Sequence, residues 1–399
     1  MTMRIGYFYK NYPEIRCIVN KTENIYVHSN SKKSFSHLMK SILWRLKLVD
    51  GWDFTATVTA LRREDVDIYH TFNAIVKTNK PYVITFESAI PRTRDTIDRR
   101  WEWDSLWTER ISKKTRYYTY QLLHKNCIRL LALSNNTKDV MRYQLEAMKL
   151  SDDVVENIMK KVQVVYPPQA VNCTKKEIFS KYKVSSRPLR LIFVGNDFYS
   201  KGGAILINTL KGYDKKLFHL TIISAFRPDS TYGYSEKEQL ELREYCNNQS
   251  WISVLQNIPN EDVLKLVKES DIGFLPTIQE TFGYSVLEMQ ASGCPVVTTD
   301  VRALGETNDN LRGWQISVKK HPISREAFYH DHNELKKLQV DIENALDIVL
   351  SEILEKWTHG DMDYFIDKAE EALLSIQRNN DPVIYGRTVE KIYKEAMLH

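Results

Sequence analysis

Short, unbroken apolar runs punctuate the chain at 4–9 (RIGYFY), 67–72 (DIYHTF), 81–86 (PYVITF), 128–134 (IRLLALS) and 162–167 (VQVVYP). They continue at 189–195 (LRLIFVG), 217–224 (LFHLTIIS), 251–256 (WISVLQ), 271–276 (DIGFLP) and 294–299 (CPVVTT). Each has strand length and does not alternate polar with apolar. That is the pattern of strands buried on both faces of a parallel sheet. Amphipathic helical stretches lie between most of them, which predicts βαβ units and an α/β class. Tyr166-Pro167-Pro168 separates the runs into two groups, because paired prolines break regular structure. A linker is expected over 167–187. Two doubly wound, Rossmann-like domains in series are expected to face a cleft, with ligands beyond the carboxyl ends of the strands. Residues 319–336 are polar and patternless and read as a loop. From Asp381-Pro382 onward the chain reads as a final helix.

Composition adds less. The five cysteines, Cys17, Cys127, Cys173, Cys246 and Cys294, are scattered and form no Cys-x-x-Cys pair. This argues against a disulfide framework and fits a reducing cytoplasm. The first residues read as a strand and not as a signal peptide, and no apolar run reaches membrane-spanning length. Charge is uneven. Residues 1–170 carry 28 Lys and Arg against 18 Asp and Glu, whereas 171–399 carry 28 against 33. A basic half suggests an anionic partner. Residues 34–49 place Phe35, Leu38, Met39, Ile42, Leu43 and Leu46 at helical spacing, with Lys40, Arg45 and Lys47 opposite. Residues 99–129 mix Trp101, Trp103, Trp107 and tyrosines with cations. Packing of the first helix on the N-terminal sheet is the simpler expectation. Together the features suggest peripheral association with an anionic membrane, such as the inner face of the plasma membrane, and a lipid-linked or anionic glycan acceptor.

The chemistry concentrates in residues 271–299, DIGFLPTIQETFGYSVLEMQASGCPVVTT. A strand ends at Leu275-Pro276, and a loop carries Glu280, Thr281, Phe282 and Gly283. A short helix starts near Tyr284 or Ser285 and stops at Gly293. Its N-terminus opens at the carboxyl end of the strand, where free amides and about half a positive charge can hold phosphate. Gly283 permits close backbone approach. Glu280 and Glu288 bracket that position. Two glutamates eight apart are usually solvated surface charges. Glu288, however, sits among Val286, Leu287 and Met289, where a carboxylate is costly unless hydrogen-bonded.

The segment resembles the signature of the family 4 retaining glycosyltransferases, the glycosyl transferases group 1, which have the GT-B fold. The matches are Pro276, Glu280, Phe282, Gly283, Leu287, Glu288, Ala291, Gly293, Pro295, Val296 and Val297. Thr277 and Met289 depart from the family's usual Ser and Ala. The resemblance implies that Glu280 contacts the donor sugar and Glu288 the ribose. It also implies that the amides around Phe282, Gly283 and Tyr284 serve the sugar, and those near Ser285 and Val286 the phosphates. LIFVGNDFYSKGG, residues 191–203, resembles the family's F-V-G-R-x-x-x-x-K-G. It assigns Gly195, Lys201 and Gly202 to the donor, with Lys201 offsetting the departing diphosphate. Asn196 replaces the family arginine, and Arg92 or Arg302 is the candidate substitute. The stretch near Gln256 to Ile258 is where the family holds the base.

The resemblance is strong over 160–310 and weak over 1–130. In the N-terminal half, YKNYPEIRC stands where the family often has a Gly-Gly loop. Thr85-Phe86-Glu87 stands where it often has Thr-x-His. Glu87 is therefore expected to take over a sugar contact or to meet the acceptor, with Arg92 and His70 on the acceptor side. A third carboxylate also leaves an inverting base open. The GT-B class implies a C-terminal helix, about 383–399, returning to an N-terminal acceptor domain of 1–170, with donor-binding residues 171–382. The implied activity is transfer of a hexose-type sugar from a UDP-sugar or GDP-sugar to a glycan or lipid-linked acceptor, with retention, in cell-surface polysaccharide or glycolipid synthesis. No metal is expected, because neither Asp65/Asp67 nor Asp361/Asp363 falls at the donor site. No nucleic-acid partner is expected. A GT-B sugar-nucleotide epimerase, which needs one substrate only, and a non-catalytic GT-B binding module are the competing classes.

Overall fold

In the computed structural model, which describes residues 2–29, 35–48, 55–60, 64–97, 111–183 and 187–398, each of the ten apolar runs forms a strand. Four strands had no such signal: β2 (Ile25–His28), β3 (Thr57–Thr59), β5 (Ile75–Lys77) and β14 (Gly313–Ile316). They are three or four residues long, and β2 and β14 lie at sheet edges. An edge strand needs no continuous apolar run. The chain divides into two compact units, Met1–Pro168 with Asn380–His399, and Gln169–Asn379.

The N-terminal unit is built on a six-stranded parallel sheet of order β2-β1-β4-β6-β7-β8. Its strands are β1 (Arg4–Tyr7), β4 (Ile68–Phe72), β6 (Tyr82–Phe86), β7 (Cys127–Ala132) and β8 (Val162–Val164), with β2 at the edge. The period-two alternation splits their side chains between two apolar layers. Ile5, Ile68, Val83 and Leu131 pack against Tyr385, Val389, Ile392 and Tyr393 of the final helix, Pro382–Ala396. Tyr69, Ile84, Phe86 and Leu130 pack with Val140, Met141 and Leu145 of the helix Asn135–Ala147. The returning C-terminal helix thus completes this unit. Full burial of each such aliphatic side chain stabilises by about 1.5–3 kcal/mol.

The C-terminal unit repeats the plan with order β11-β10-β9-β12-β13-β14, all parallel. The strands are β9 (Leu189–Val194), β10 (Phe218–Ile223), β11 (Ile252–Leu255), β12 (Ile272–Leu275) and β13 (Val296–Thr299), with β14 at the edge. The chain runs outward from β9 to β11 and then resumes on the other side of β9 at β12. Strand order therefore reverses between β9 and β12, and in such sheets ligands bind beyond the carboxyl ends at this point. The same reversal falls between β1 and β4 in the N-terminal unit. Together these features give two Rossmann-like α/β units in series, the GT-B pattern.

Three expectations change. The linker is shorter than 167–187, because Thr174 and Glu177 form a capping box that starts a helix at Lys175–Tyr182 inside the second unit. The loop expected over 319–336 ends at Asp331, whose carboxylate accepts from the Asn333 and Glu334 amides and caps the helix His332–Thr358. The amphipathic stretch does form a helix, Phe35–Arg45, but its Leu38, Met39 and Ile42, and Leu46 just after it, are exposed. Trp101, Trp103 and Trp107 lie outside the described residues. No helix among the described residues is long and apolar enough to cross a membrane.

Candidate active site

Lys201 and Glu280 reach each other from the loops that follow β9 and β12, the two strands flanking the reversal. The Lys201 Nζ donates to Glu280 Oε2 at 2.8 Å and to the Gln279 carbonyl at 2.9 Å. The two loops are laced together before these side chains meet. The Ile278 amide and the Thr277 hydroxyl both donate to the Ser200 carbonyl, at 3.0 Å each. Thr277 also donates to the Gln279 carbonyl at 2.7 Å, and Thr299 donates to the Thr277 carbonyl at 2.6 Å. A threonine in place of the family serine therefore keeps the hydroxyl and its work. Gly202 has φ +80, and a Cβ there would lie 2.0 Å from the Pro276 carbonyl oxygen. It is the contact that lets the two loops touch. A Cβ on Gly195 would press on the Lys201 stem at 3.2 Å. Asn196 is exposed.

Burial by itself would raise the Glu280 carboxyl. The Lys201 ammonium and the amides of Thr281 and Phe282 outweigh it and hold the group below the usual carboxylate range. The Thr281 amide donates to Oε1 at 2.8 Å. The Phe282 ring is buried beside Tyr284, with ring centroids 5.4 Å apart. Tyr232 hydrogen-bonds the Gln279 side chain beside this pair. Neither residue carried a sequence signal.

Helix Tyr284–Ala291 begins at Gly283, whose φ of +90 places it in the left-handed region. A Cβ at Gly283 would meet Leu304 Cδ2 at 2.5 Å. The first bonds back to Gly283 come from the Val286 amide at 3.0 Å and the Leu287 amide at 3.4 Å. The Val286 amide is thus already engaged, which corrects its assignment to a phosphate. Tyr284 and Ser285 precede these bonds, as the opening residues of any helix do. Glu288 is 8% exposed, one turn in from the helix start. Helices Asn260–Glu269 and Met362–Asn379 pack against this helix. Met289, where the family has alanine, sits over Gly273 of β12, and a Cβ there would lie 2.2 Å from its sulfur. Ile258 follows β11 and rests half-buried on the core.

Neither candidate replacement for the family arginine is uncommitted. Arg302 pairs with Glu326 at 2.8 Å, and Arg92 pairs with Glu87 at 2.6 Å. A larger hollow of about 360 Å³ lies near the start of β9 and is lined by Lys181, Arg190 and Lys268. Lys181 already donates to the Ser270 and Gly293 carbonyls, and Lys268 to Glu177.

In the N-terminal unit the carboxyl ends of β1, β4 and β6 surround a pocket of about 230 Å³. Glu87 follows β6. Its Oε1 accepts from Arg92 at 2.6 Å and from Asn73 at 3.1 Å, and the Glu87 amide donates back to Asn73 at 3.2 Å. Asn73 adopts φ +58 just after β4. His70 is not there. It points to the opposite sheet face, under the final helix, and bonds Tyr393 at 2.7 Å and Thr85 at 2.8 Å. Burial pushes its pKa down to about 3. The acceptor role expected for His70 is therefore replaced by a structural one. Glu14 was missed. It lies in the short helix Tyr12–Cys17 after β1, is 2% exposed, lines this pocket, and its Oε2 has no hydrogen-bond partner. Burial, with the Glu87 charge adding, lifts its carboxyl to about 8 against the pull of its own amide. A buried unsatisfied polar group costs about 1–3 kcal/mol. The signal for it was the polar NYPE that replaces the family's glycines at a strand-order reversal.

Residues 174–330 match the family model of the glycosyl transferases group 1, so the second unit carries that domain. A curated relative, an uncharacterized 41.2 kDa protein in the cps region of Klebsiella pneumoniae, is 27% identical over 166 residues. That match spans 40% of this chain and 42% of the relative's own length. A glycosyltransferase from Rickettsia africae ESF-5 shares the fold with a TM-score of 0.59 at 18% identity, over 99% of both chains. Anabaena Alr3699/HepE, solved in complex with UDP and glucose, gives 0.57 at 10% identity, over 97% of this chain and 90% of that one.

Proposed function

We propose that this chain is a retaining glycosyltransferase that moves a hexose-type sugar from a UDP-sugar or GDP-sugar to a glycan or lipid-linked acceptor, in cell-surface polysaccharide or glycolipid synthesis. The observation that carries the reading is the Lys201–Glu280 pair at the β9/β12 reversal, beside the amide end of the helix that bears Glu288. Lys201 and the Ser285 amide hold the diphosphate and stabilise the charge that grows on it as it departs. Glu280, kept ionised by its neighbours, accepts hydrogen bonds from sugar hydroxyls. Glu288 accepts from the ribose, and the stretch around Ile258 holds the base. In the transfer the bond from the anomeric carbon to the phosphate oxygen breaks, and a bond to the acceptor oxygen forms on the same face. The acceptor proton passes to the leaving phosphate oxygen. The protein supplies position and charge and no nucleophile.

The matched domain, the UDP and glucose bound in the Anabaena protein, and the cps-region relative support this class of donor and product. The exposed stripe of Leu38, Met39, Ile42 and Leu46, with Arg45 and Lys47 nearby and a basic N-terminal half, supports peripheral binding to an anionic membrane. The test is a panel of nucleotide sugars followed by mass spectrometry and NMR of the product. Slow hydrolysis of one UDP-sugar or GDP-sugar, releasing the α-anomer from an α-linked donor, is expected. A product epimeric to the donor, with no nucleoside diphosphate released, would favour an epimerase. Failure to bind any nucleoside diphosphate would favour a binding module.

A further inference from the structure

The N-terminal pocket brings together two carboxyl groups of different character. Glu87 Oε1 accepts hydrogen bonds from Arg92 and Asn73. Glu14 is buried and keeps one oxygen with no partner. Both line a single pocket at the β1/β4 reversal, where a doubly wound sheet places ligands. Tyr9 and Phe72 add aromatic surface to the same lining.

We infer that this pocket is a subsite for a neutral, polyhydroxylated glycosyl unit, in which Glu14 donates a hydrogen bond and Glu87 accepts one. A sugar hydroxyl both donates and accepts, so a donor acid beside an acceptor carboxylate satisfies neighbouring hydroxyls in a way two like groups cannot. Glu14 suits the donor role because burial and the Glu87 charge favour its protonated form at neutral pH. An anionic sugar would meet the Glu87 carboxylate, whose countercharge from Arg92 is already in place at 2.6 Å. The aromatic lining suits the apolar face of a sugar ring. The volume, about 230 Å³, lies below the ~300–1,000 Å³ of drug-sized sites and admits a small unit. The inference rests on the transferase reading only in calling that unit the acceptor.

Saturation-transfer NMR and titration calorimetry on the full chain test it. The probes are methyl α-glucopyranoside, methyl α-galactopyranoside, glucuronate and glucose 6-phosphate, with UDP and GDP titrated separately. At least one neutral glycoside is expected to bind the wild type, and the two anions at least about tenfold more weakly. Glu14→Leu should lose about tenfold or more, the scale of one buried hydrogen bond, while Glu14→Gln, which keeps a donor, stays near wild type. Glu87→Gln should reverse the charge preference by leaving Arg92 without that carboxylate, so glucuronate gains on the glycosides. This arm decides the matter should Glu14→Leu not fold. The inference is overturned if no neutral glycoside binds, if the anions bind equally well, or if neither Glu14→Leu nor Glu87→Gln changes the affinities. Loss of UDP and GDP binding with glycoside binding intact would sink the donor assignment and leave this subsite standing.

Discussion

Replacing Lys201 with methionine removes the ammonium and keeps most of the stem that packs beside Gly195. The Lys201 and Glu280 side chains are 20% and 13% exposed. Their pair therefore falls between the surface limit of about 0–1 kcal/mol and the fully buried limit of about 3–5 kcal/mol for removing one partner. A loss of about 1–3 kcal/mol in stability is expected. Glu280 then keeps only its amide donors, so its carboxyl pKa rises, and a diphosphate arriving beside it meets an unneutralised charge. Losing one charge-assisted hydrogen bond to the diphosphate costs about 1.5–3 kcal/mol, or roughly 10- to 150-fold in affinity. Calorimetry with UDP and GDP reads this directly, with uridine and guanosine as controls that lack the phosphates. Diphosphate affinity should fall by that factor while nucleoside affinity holds. The double variant Lys201→Met/Glu280→Gln should recover part of the stability, because it removes the orphaned charge. A folded Lys201→Met protein that binds UDP and GDP within threefold of wild type would refute the role.

Glu288→Gln should weaken nucleotide binding by about 1.5–3 kcal/mol, and a dideoxyribose nucleotide should be insensitive to the change. Equal losses for both nucleotides would contradict the ribose contact. Gly283→Ala forces an alanine to φ +90 and a Cβ to within 2.5 Å of Leu304. It should cost about 1–3 kcal/mol and lower the melting point of the second unit by several degrees. An unchanged melting curve would show that the loop relaxes. His70 is protonated less readily folded than unfolded, its pKa falling from 6.5 to about 3. Its contribution is whole above pH 6.5 and fades as the pH drops below that, by about 2 kcal/mol at pH 5. Urea melts of wild type and His70→Asn across that range should therefore differ in slope, and parallel slopes would argue against a neutral buried imidazole. Vesicles containing phosphatidylglycerol should float the wild type at low salt, less so at high salt, and Ile42→Glu hardly at all. Equal behaviour of the two proteins would remove the membrane contact.

Where each residue's identity is set by its own local chemistry, the sequence was readable. Unbroken apolar runs became the central strands, because burial on both faces demands such runs. The 271–299 segment placed its helix where Gly283 and Gly293, both at positive φ, permit a start and a stop. The edge strands β2 and β14 were invisible because four residues are too few to show a periodic pattern. The amide assignment failed at Val286 because competition for a donor depends on which acceptor lies nearest, here the Gly283 carbonyl. His70 was misplaced by one strand face, since alternation alone does not say which face a helix arriving from residue 382 onward will cover. Glu14 stayed hidden because its meaning comes from Glu87, more than seventy residues away, and from the strand order that joins them.

The central claim is that a diphosphate sits on the opening amides of helix Tyr284–Ala291, with Lys201 on it and Glu288 at the ribose. A crystal structure of the full chain with UDP or GDP tests that most directly. The β-phosphate should lie within hydrogen-bonding reach of the Ser285 amide and the Lys201 Nζ, with ribose hydroxyls on Glu288. Density for the nucleotide anywhere else, with these groups unliganded, would contradict it.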